Sequence, residues 1–243
     1  MAGEGSRFKI NGYELPKPLI EVDGEPMIKR AVKTLNLVGR YIFITRKYQD
    51  AKNNLNLKNV LNEIAPGCVI IEIDELTNGS AETCLVAKDY IDNSEELIIT
   101  NCDQLMEWDS SIFNNFIKTD MDGAVVTYTS TDPKNSFVEL SKDNKAKRIV
   151  EKELISDIAL IGLHYWKKGQ DFINSVEEMI SNDIRHKNEY YVAPSYNSLI
   201  DRGLDIRIYH LGENQYIPVG TPNDLKLYIG RKKEYDNDKL KTL

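Results

Sequence analysis

Arg7 and Lys17 stand in a stretch whose residue types suit the handling of phosphate. Met1-Ala2-Gly3-Glu4-Gly5-Ser6-Arg7-Phe8 has two glycines separated by one residue, and Pro16-Lys17-Pro18 follows after a short spacer. Gly3 and Gly5 free the backbone to take positive φ and to approach a ligand, so that successive amides converge on an anion. Arg7 adds a planar, permanently charged fork. Lys17, between two prolines that stiffen its backbone, delivers a point charge to a defined place. A glycine pair alone marks an ordinary turn. The glycines, the fork and the braced ammonium together mark a phosphate loop.

Oxygen donors and polar edges come later in the chain. Glu96-Leu97-Ile98-Ile99-Thr100 is an apolar strand that leads through Asn101-Cys102 to Asp103. This carries Asp103 to the carboxyl edge of a sheet, where ligands of α/β proteins collect. A strand-end aspartate serves as often as a cap; beside a phosphate loop it is a hard donor suited to Mg²⁺, which keeps several waters and bridges phosphates. Asn78-Gly79-Ser80 lies at a strand-to-helix junction, where small residues let a flat ring pack on bare backbone. A plain helix cap at Asn78 or Ser80 is the alternative. His164, His186 and His210 have no spacing that suggests a metal cluster.

The elements that must position these groups alternate. Met27, Ile28, Ala31, Val32 and Leu35 repeat at helical spacing behind Pro26, and Tyr41–Thr45 reads as a buried strand. A polar helix over 48–63, a strand over 69–73 and a helix from the 76–83 loop through about Ile91 follow. Strands then dominate from Gly123 to Trp166, with a hairpin turn at Asp143-Asn144, before an amphipathic helix over 169–183. Leu204–Leu211 alternates as a strand, and Thr221 caps a last helix opened by Pro222 that runs into a charged, frayed tail. The alternation predicts an α/β fold with a mixed central sheet flanked by helices.

The strings 1–8, Gly12–Ile20 and Gly24–Ile28 resemble the start of the nucleotidyltransferases that make nucleoside-diphosphate sugars and related activated phosphates, and most of all the branch found in bacterial capsule and surface-polysaccharide gene clusters. The likeness runs over nearly the whole chain, through Asp103, Glu151-Lys152, the 155–166 strand, the 188–200 stretch and the closing Val219-Gly220-Thr221-Pro222. It implies the Rossmann-like fold of nucleotide-diphospho-sugar transferases. One domain would span 1–243, its nucleotide half over about 1–122 and its acceptor half over about 123–243. It implies transfer of a nucleoside monophosphate from a triphosphate to a sugar 1-phosphate or similar small phosphate, with Mg²⁺ as cofactor and pyrophosphate as product.

By this likeness the amides of Ala2, Gly3, Glu4, Gly5 and Ser6, with Arg7, hold the leaving pyrophosphate, Lys17 lies on the α-phosphate, and Asp103 holds the metal. Asn78, Gly79 and Ser80 hold the nucleobase. Glu151 accepts from sugar hydroxyls, Lys152 faces the acceptor phosphate, Gly162 admits substrate to its backbone, and Glu189 and Tyr191 reach the acceptor pocket, while Tyr196 and Leu199 pack. Four departures stand out. Cys102 replaces a glycine often found before the aspartate, Glu153 a proline after the lysine, and Pro218 an aspartate that serves as second metal ligand. The fourth is the short apolar strand that usually precedes the loop: the expectation is a start a few residues too late. Cytidylyl transfer to a non-sugar phosphate, a same-fold glycosyltransferase and an inactive or binding-only homologue are the alternatives.

Composition narrows the partners. In 243 residues, 38 acidic side chains outnumber 31 basic ones, for a net charge of −7. No polyanion-binding field surrounds such a chain, which argues against nucleic acid as partner. No apolar run approaches membrane-spanning length. Cys68, Cys84 and Cys102 are widely spaced in or beside apolar runs, as buried thiols of a reducing cytoplasm would be. Base, acceptor and oligomeric state are not readable from these residues.

Overall fold

Strand Ile158–Trp166 is the longest of the sheet, and three other strands are built on it. In a computed structural model that describes residues 1–241, with side chains described through Lys232, the chain opens with α1 (Ser6–Ile10), a 3₁₀ turn (Lys17–Leu19), a minimal hairpin of β1 (Glu21–Val22) and β2 (Glu25–Pro26), and α2 (Met27–Leu35). Next come β3 (Ile42–Arg46), α3 (Ala51–Ile64), β4 (Val69–Ile73), α4 (Ser80–Leu85), α5 (Lys88–Ile91), β5 (Leu97–Thr100), β6 (Gln104–Met106) and α6 (Ser110–Ile117). The second half holds β7 (Gly123–Thr129), β8 (Ser136–Leu140), β9 (Ala146–Glu151), β10 (Ile158–Trp166), α7 (Gly169–Ser181), α8 (Tyr196–Asp201), β11 (Ile206–His210), β12 (Tyr216–Pro218) and α9 (Pro222–Lys241).

β10 pairs antiparallel with β5, β7 and β8; β7 carries β11 in parallel, and β8 carries β9 through the turn at Asn144. The mixed sheet flanked by helices is thus as expected. Its core is aromatic: Trp166 and Tyr196 stack with centroids 4.5 Å apart, and the Tyr196 hydroxyl donates to the carbonyls of Ala124 and Tyr165 at 3.0 and 2.9 Å. Tyr196 and Leu199 pack, as the sequence suggested.

β3 and β4 pair only with each other among the described residues. No described strand lies between β3 and β5, and residues of both line one slot. Two local differences concern helix ends. Pro26 caps α2 rather than opening it, and the helix expected to run to Ile91 breaks at Val86-Ala87 into α4 and α5. Thr221 and Pro222 behave as read, since Asp224 N donates to Thr221 Oγ1 at 3.1 Å. The frayed-tail expectation falls largely outside the described side chains. Trp108 and Asp109 are structural: Nε1 reaches the Thr34 and Leu35 carbonyls at 3.2 Å, and Asp109 caps α6. The three thiols are free and half-buried, and no helix among the described residues is long and apolar enough to cross a membrane.

His164 lies in β10 beside Trp166 and Tyr196, with its Nδ1 buried and unpartnered among the described residues. Burial pushes its pKa down to about 4, whereas the unfolded chain titrates near ~6.5. Between these values the unfolded state binds more protons. The contribution is therefore fully present above the unfolded pKa and is lost as pH falls toward the folded one. Stability against thermal unfolding should fall between neutral pH and about pH 4.5 by up to ~3 kcal/mol from this group. The pH slope should flatten in His164→Gln; parallel slopes for the two proteins would refute the assignment.

Candidate active site

One buried ring holds the 1–8 loop. Phe8 is 1% exposed and packs with Val22, Met27, Leu105 and Val219, its edge against Tyr13 at 5.1 Å. The loop is thereby fastened to β6, β12 and the start of α9. Gly5 caps α1 at φ 64°, in the left-handed region, and a Cβ there would lie 3.3 Å from Cβ of Lys17. Gly3 has no positive φ and open space around it. Of the two glycines, only Gly5 makes the turn that the spacing suggested. Ala2, Gly3, Glu4, Gly5, Ser6 and Arg7 all line a cleft that is continuous with the slot between β3 and β5, together about 1360 Å³, and Arg7 is exposed.

Lys17 and Asp103, 86 positions apart, form an ion pair between Nζ and Oδ2, with side chains 19% and 23% exposed. The β6–β12 pairing sets the carboxylate: Val219 N donates to the Asp103 carbonyl at 2.9 Å, and Pro218 stands opposite Gln104. Gly220 follows directly. A Cβ on it would lie 2.7 Å from Asp103 Oδ2 and 3.8 Å from Lys17 Nζ. Gly220 is a site residue that the sequence alone passed over. In sequence it stands only as a glycine just before a capped helix; the structure shows, by its ordinary φ, that no turn requires it.

The donor set bears on a metal. Among the described residues no group of three or more His, Cys, Asp or Glu side chains is arranged to hold one. Asp224 is engaged with Thr221, whose hydroxyl donates to it at 2.7 Å. A single oxygen donor fits Mg²⁺ that comes chelated by phosphates, because this ion accepts one or two carboxylates and otherwise keeps water and phosphate oxygens.

Glu151 and Lys152 lie at the end of β9 and line the same cleft. α8 fixes that strand, since Asn197 accepts from Ile149 N at 2.9 Å and donates to Ile149 O at 2.8 Å. The Glu151 side chain is 8% exposed, accepts from Ser136 Oγ and sits 3.5 Å from Lys152 Nζ. Burial raises its pKa, and the serine and lysine offset part of that rise. Lys152 has φ 55°, a strained value for a residue with a side chain. Its ammonium lies 4.1 Å from the Tyr191 ring centre and donates to the Tyr191 hydroxyl, which donates to Glu189. Burial and the Glu189 carboxylate raise the Tyr191 pKa. Four expected acceptor residues thus form one chain of contacts.

The remaining expectations are met differently. Gly79, at φ 125°, faces the backbone of Tyr190: a Cβ would lie 2.4 Å from that carbonyl oxygen. Tyr190 N donates to Asn78 O at 2.7 Å and Ala81 N to Tyr190 O at 2.9 Å. The bare face of Gly79 is therefore filled by protein backbone. Val192 N donates to Ser80 Oγ at 3.3 Å, and Glu82 accepts from Asn78 N. Gly79 and Ser80 line the cleft and exposed Asn78 does not. Neither Asn78 nor Ser80 caps α4; Gly79 holds that position. At Gly162 the space expected to admit substrate is taken by the side chain of Asn101.

The profile of the MobA-like NTP transferase domain matches residues 1–153. The bifunctional protein GlmU of Thermotoga petrophila is 24% identical over 202 residues, 81% of this chain, and the chain spans 42% of its length. The crystal structure of a nucleoside-diphosphate-sugar pyrophosphorylase from Vibrio cholerae RC9 superposes with a TM-score of 0.81 at 23% identity, covering 94% of this chain and 97% of that one. An inositol-1-phosphate CTP transferase from T. maritima has a TM-score of 0.72 at 17% identity, covering 93% and 90%. These superpositions establish the fold. With the profile covering more than half of its residues, the chain belongs to the MobA-like NTP transferase domain family and is a nucleotidyltransferase.

Proposed function

We propose that the chain transfers a nucleoside monophosphate from a nucleoside triphosphate to a sugar 1-phosphate or similarly small phosphorylated acceptor, releasing pyrophosphate. The observation that carries this is the Lys17–Asp103 pair, pressed against Gly220 in the cleft that also holds Glu151 and Lys152. An acceptor phosphate oxygen attacks the α-phosphorus in line. The new P–O bond forms as the bond to the β-phosphate bridging oxygen breaks, and the electron pair departs with pyrophosphate. The protein's part is positioning and charge neutralisation. The 2–6 amides and Arg7 hold the leaving group, Lys17 steadies the α-phosphate, and Lys152 meets the acceptor phosphate. Glu151 accepts from acceptor hydroxyls, and Gly79 and Ser80, which line the cleft, hold the base. Asp103 would hold Mg²⁺, which when bound with the triphosphate supplies neutralisation of its oxygens.

The names of the solved neighbours, a sugar-nucleotide pyrophosphorylase and an inositol phosphate CTP transferase, support this acceptor class. The second name keeps cytidylyl transfer to a non-sugar phosphate as a second reading. The likeness of 188–200 to the capsule branch supports a product destined for surface polysaccharide. Pyrophosphate release with Mg²⁺, crossing the ribonucleoside triphosphates and dTTP against sugar and non-sugar phosphates, tests the whole: release with one base and one acceptor identifies both substrates, and silence across the panel refutes transfer.

Lys17→Ala should lower turnover by about 10²–10³ with the far-ultraviolet spectrum unchanged, as loss of one donor to a developing charge does; near-normal turnover would remove Lys17 from the mechanism. Gly220→Ala inserts a methyl 2.7 Å from Asp103 Oδ2 and should displace the carboxylate from Lys17. A loss of at least roughly tenfold in turnover is expected from misplacing a positioned group, with little change in Tm. Unaltered kinetics would show that the pair tolerates the shift.

A further inference from the structure

Asp23 does not line the cleft, yet the β1–β2 hairpin, α2 and α9 meet on its carboxylate. It turns the hairpin together with Gly24. Val22 pairs with Glu25, and the two turn residues take φ 55° and 75°, left-handed values that an Asp-Gly pair supplies. The Asp23 side chain is 12% exposed, and its Oδ2 accepts from Lys232 Nζ at 2.7 Å, from Arg30 Nη2 at 3.3 Å and from the Tyr228 hydroxyl. Burial by itself would raise the carboxyl pKa; the Lys232, Tyr228 and Arg30 contacts outweigh it and hold the pKa below its ordinary value. The carboxylate is therefore ionised at any pH near neutrality.

Tyr228 and Lys232 belong to α9, the helix that starts just past Gly220, and Tyr228 lies 205 positions from Asp23. The link from β12 to α9 has no slack. Val219 is fully buried, its N–H donates to the Asp103 carbonyl at 2.9 Å, and Leu225 N donates to the Thr221 carbonyl at 3.0 Å. At the other end, Lys17 stands in the 3₁₀ turn that enters the hairpin, whose base is closed by Met27 N donating to Ile20 O at 2.8 Å. Contacts thus run in a closed circuit from Lys17 through the hairpin and Asp23 to α9, and from α9 through Gly220 to Asp103 and back to Lys17. Leu225 and Tyr228 also pack with Phe8 and Val22. Such apolar packing is non-directional, whereas hydrogen bonds to one carboxylate oxygen fix how the helix is turned. Small rotations matter here, since a Cβ at 220 would lie only 2.7 Å from Asp103 Oδ2.

We infer that Asp23 is a positioning residue for the transfer reaction: it clamps α9 to the β1–β2 hairpin and thereby holds Gly220 and the Asp103 carboxylate in place against Lys17. This rests on the transfer activity proposed above and goes beyond it.

The test is Asp23→Asn in the full chain, since asparagine keeps the shape and tolerates positive φ while removing the charge. Two readouts are taken: pyrophosphate release, and residue-resolved amide hydrogen exchange without substrate. kcat should fall about tenfold, as misplacing a positioned group does, with KM for the triphosphate changed less than about twofold. The Val219 amide should exchange about tenfold faster, while the amides of β7 and β10 keep their rates. In a Gly220→Ala background Asp23→Asn should lower kcat no further, because both changes act on the same carboxylate. Should Asp23→Asn fail to fold, Tyr228→Phe and Lys232→Gln, which each withdraw one donor and leave the hairpin unchanged, carry the same readouts with smaller effects. Unchanged kcat, unchanged Val219 exchange, a uniform rise in exchange across all strands, or independent kcat penalties in the double variant would overturn the inference. Failure of the transfer reading shows separately: no pyrophosphate from the unaltered chain, with faster Val219 exchange in the variant, would refute transfer and uphold the clamp on Asp103.

Discussion

The contact between Lys17 and Asp103 joins the two ends of the chain's chemistry. The lysine belongs to the N-terminal loop, the aspartate to the edge of the central sheet, and the space in which they meet is cleared by Gly220 from the C-terminal segment. Three distant segments must converge for one ion pair to form. With each side chain about one-fifth exposed, the pair falls between exposed pairs, worth ~0–1 kcal/mol, and buried pairs, whose disruption costs ~3–5 kcal/mol. Its value to the molecule is therefore positional. The apolar peg at Phe8 and the β6–β12 pairing supply the stability that lets two charges be held in a cleft.

A second constraint couples the 78–81 loop to the 189–192 segment. Tyr190 exchanges backbone hydrogen bonds with Asn78 and Ala81, on opposite sides of a glycine that no larger residue could replace without striking the Tyr190 backbone. The next residue along is Tyr191, which carries Lys152. The 78–81 loop and the 189–192 segment are thus joined by two backbone hydrogen bonds and by the close approach at Gly79. Asn197 does the same for β9, clamping Ile149 two residues before Glu151.

Much of this was legible beforehand because it is local. Helical periodicity marked α2, apolar runs marked β3 and β4, the family likeness marked β10, each to within a few residues, Thr221-Pro222 announced α9, and the residue types of the 1–8 loop and of the strand ending at Asp103 are of kinds suited to phosphate chemistry. What the chain could not disclose were contacts between segments far apart in sequence. Gly79, Gly162 and Gly220 look alike as letters, yet one admits a backbone, one an amide and one a carboxylate. A glycine in sequence states only that a side chain is absent; which atom uses the space depends on how strands pair and cross. The same holds for Lys152, whose partner Tyr191 lies 39 positions away. Local composition determined which groups could do chemistry. Tertiary packing decided which of them meet, because distance in space is set by register and crossover, and neither is written in any single stretch of residues.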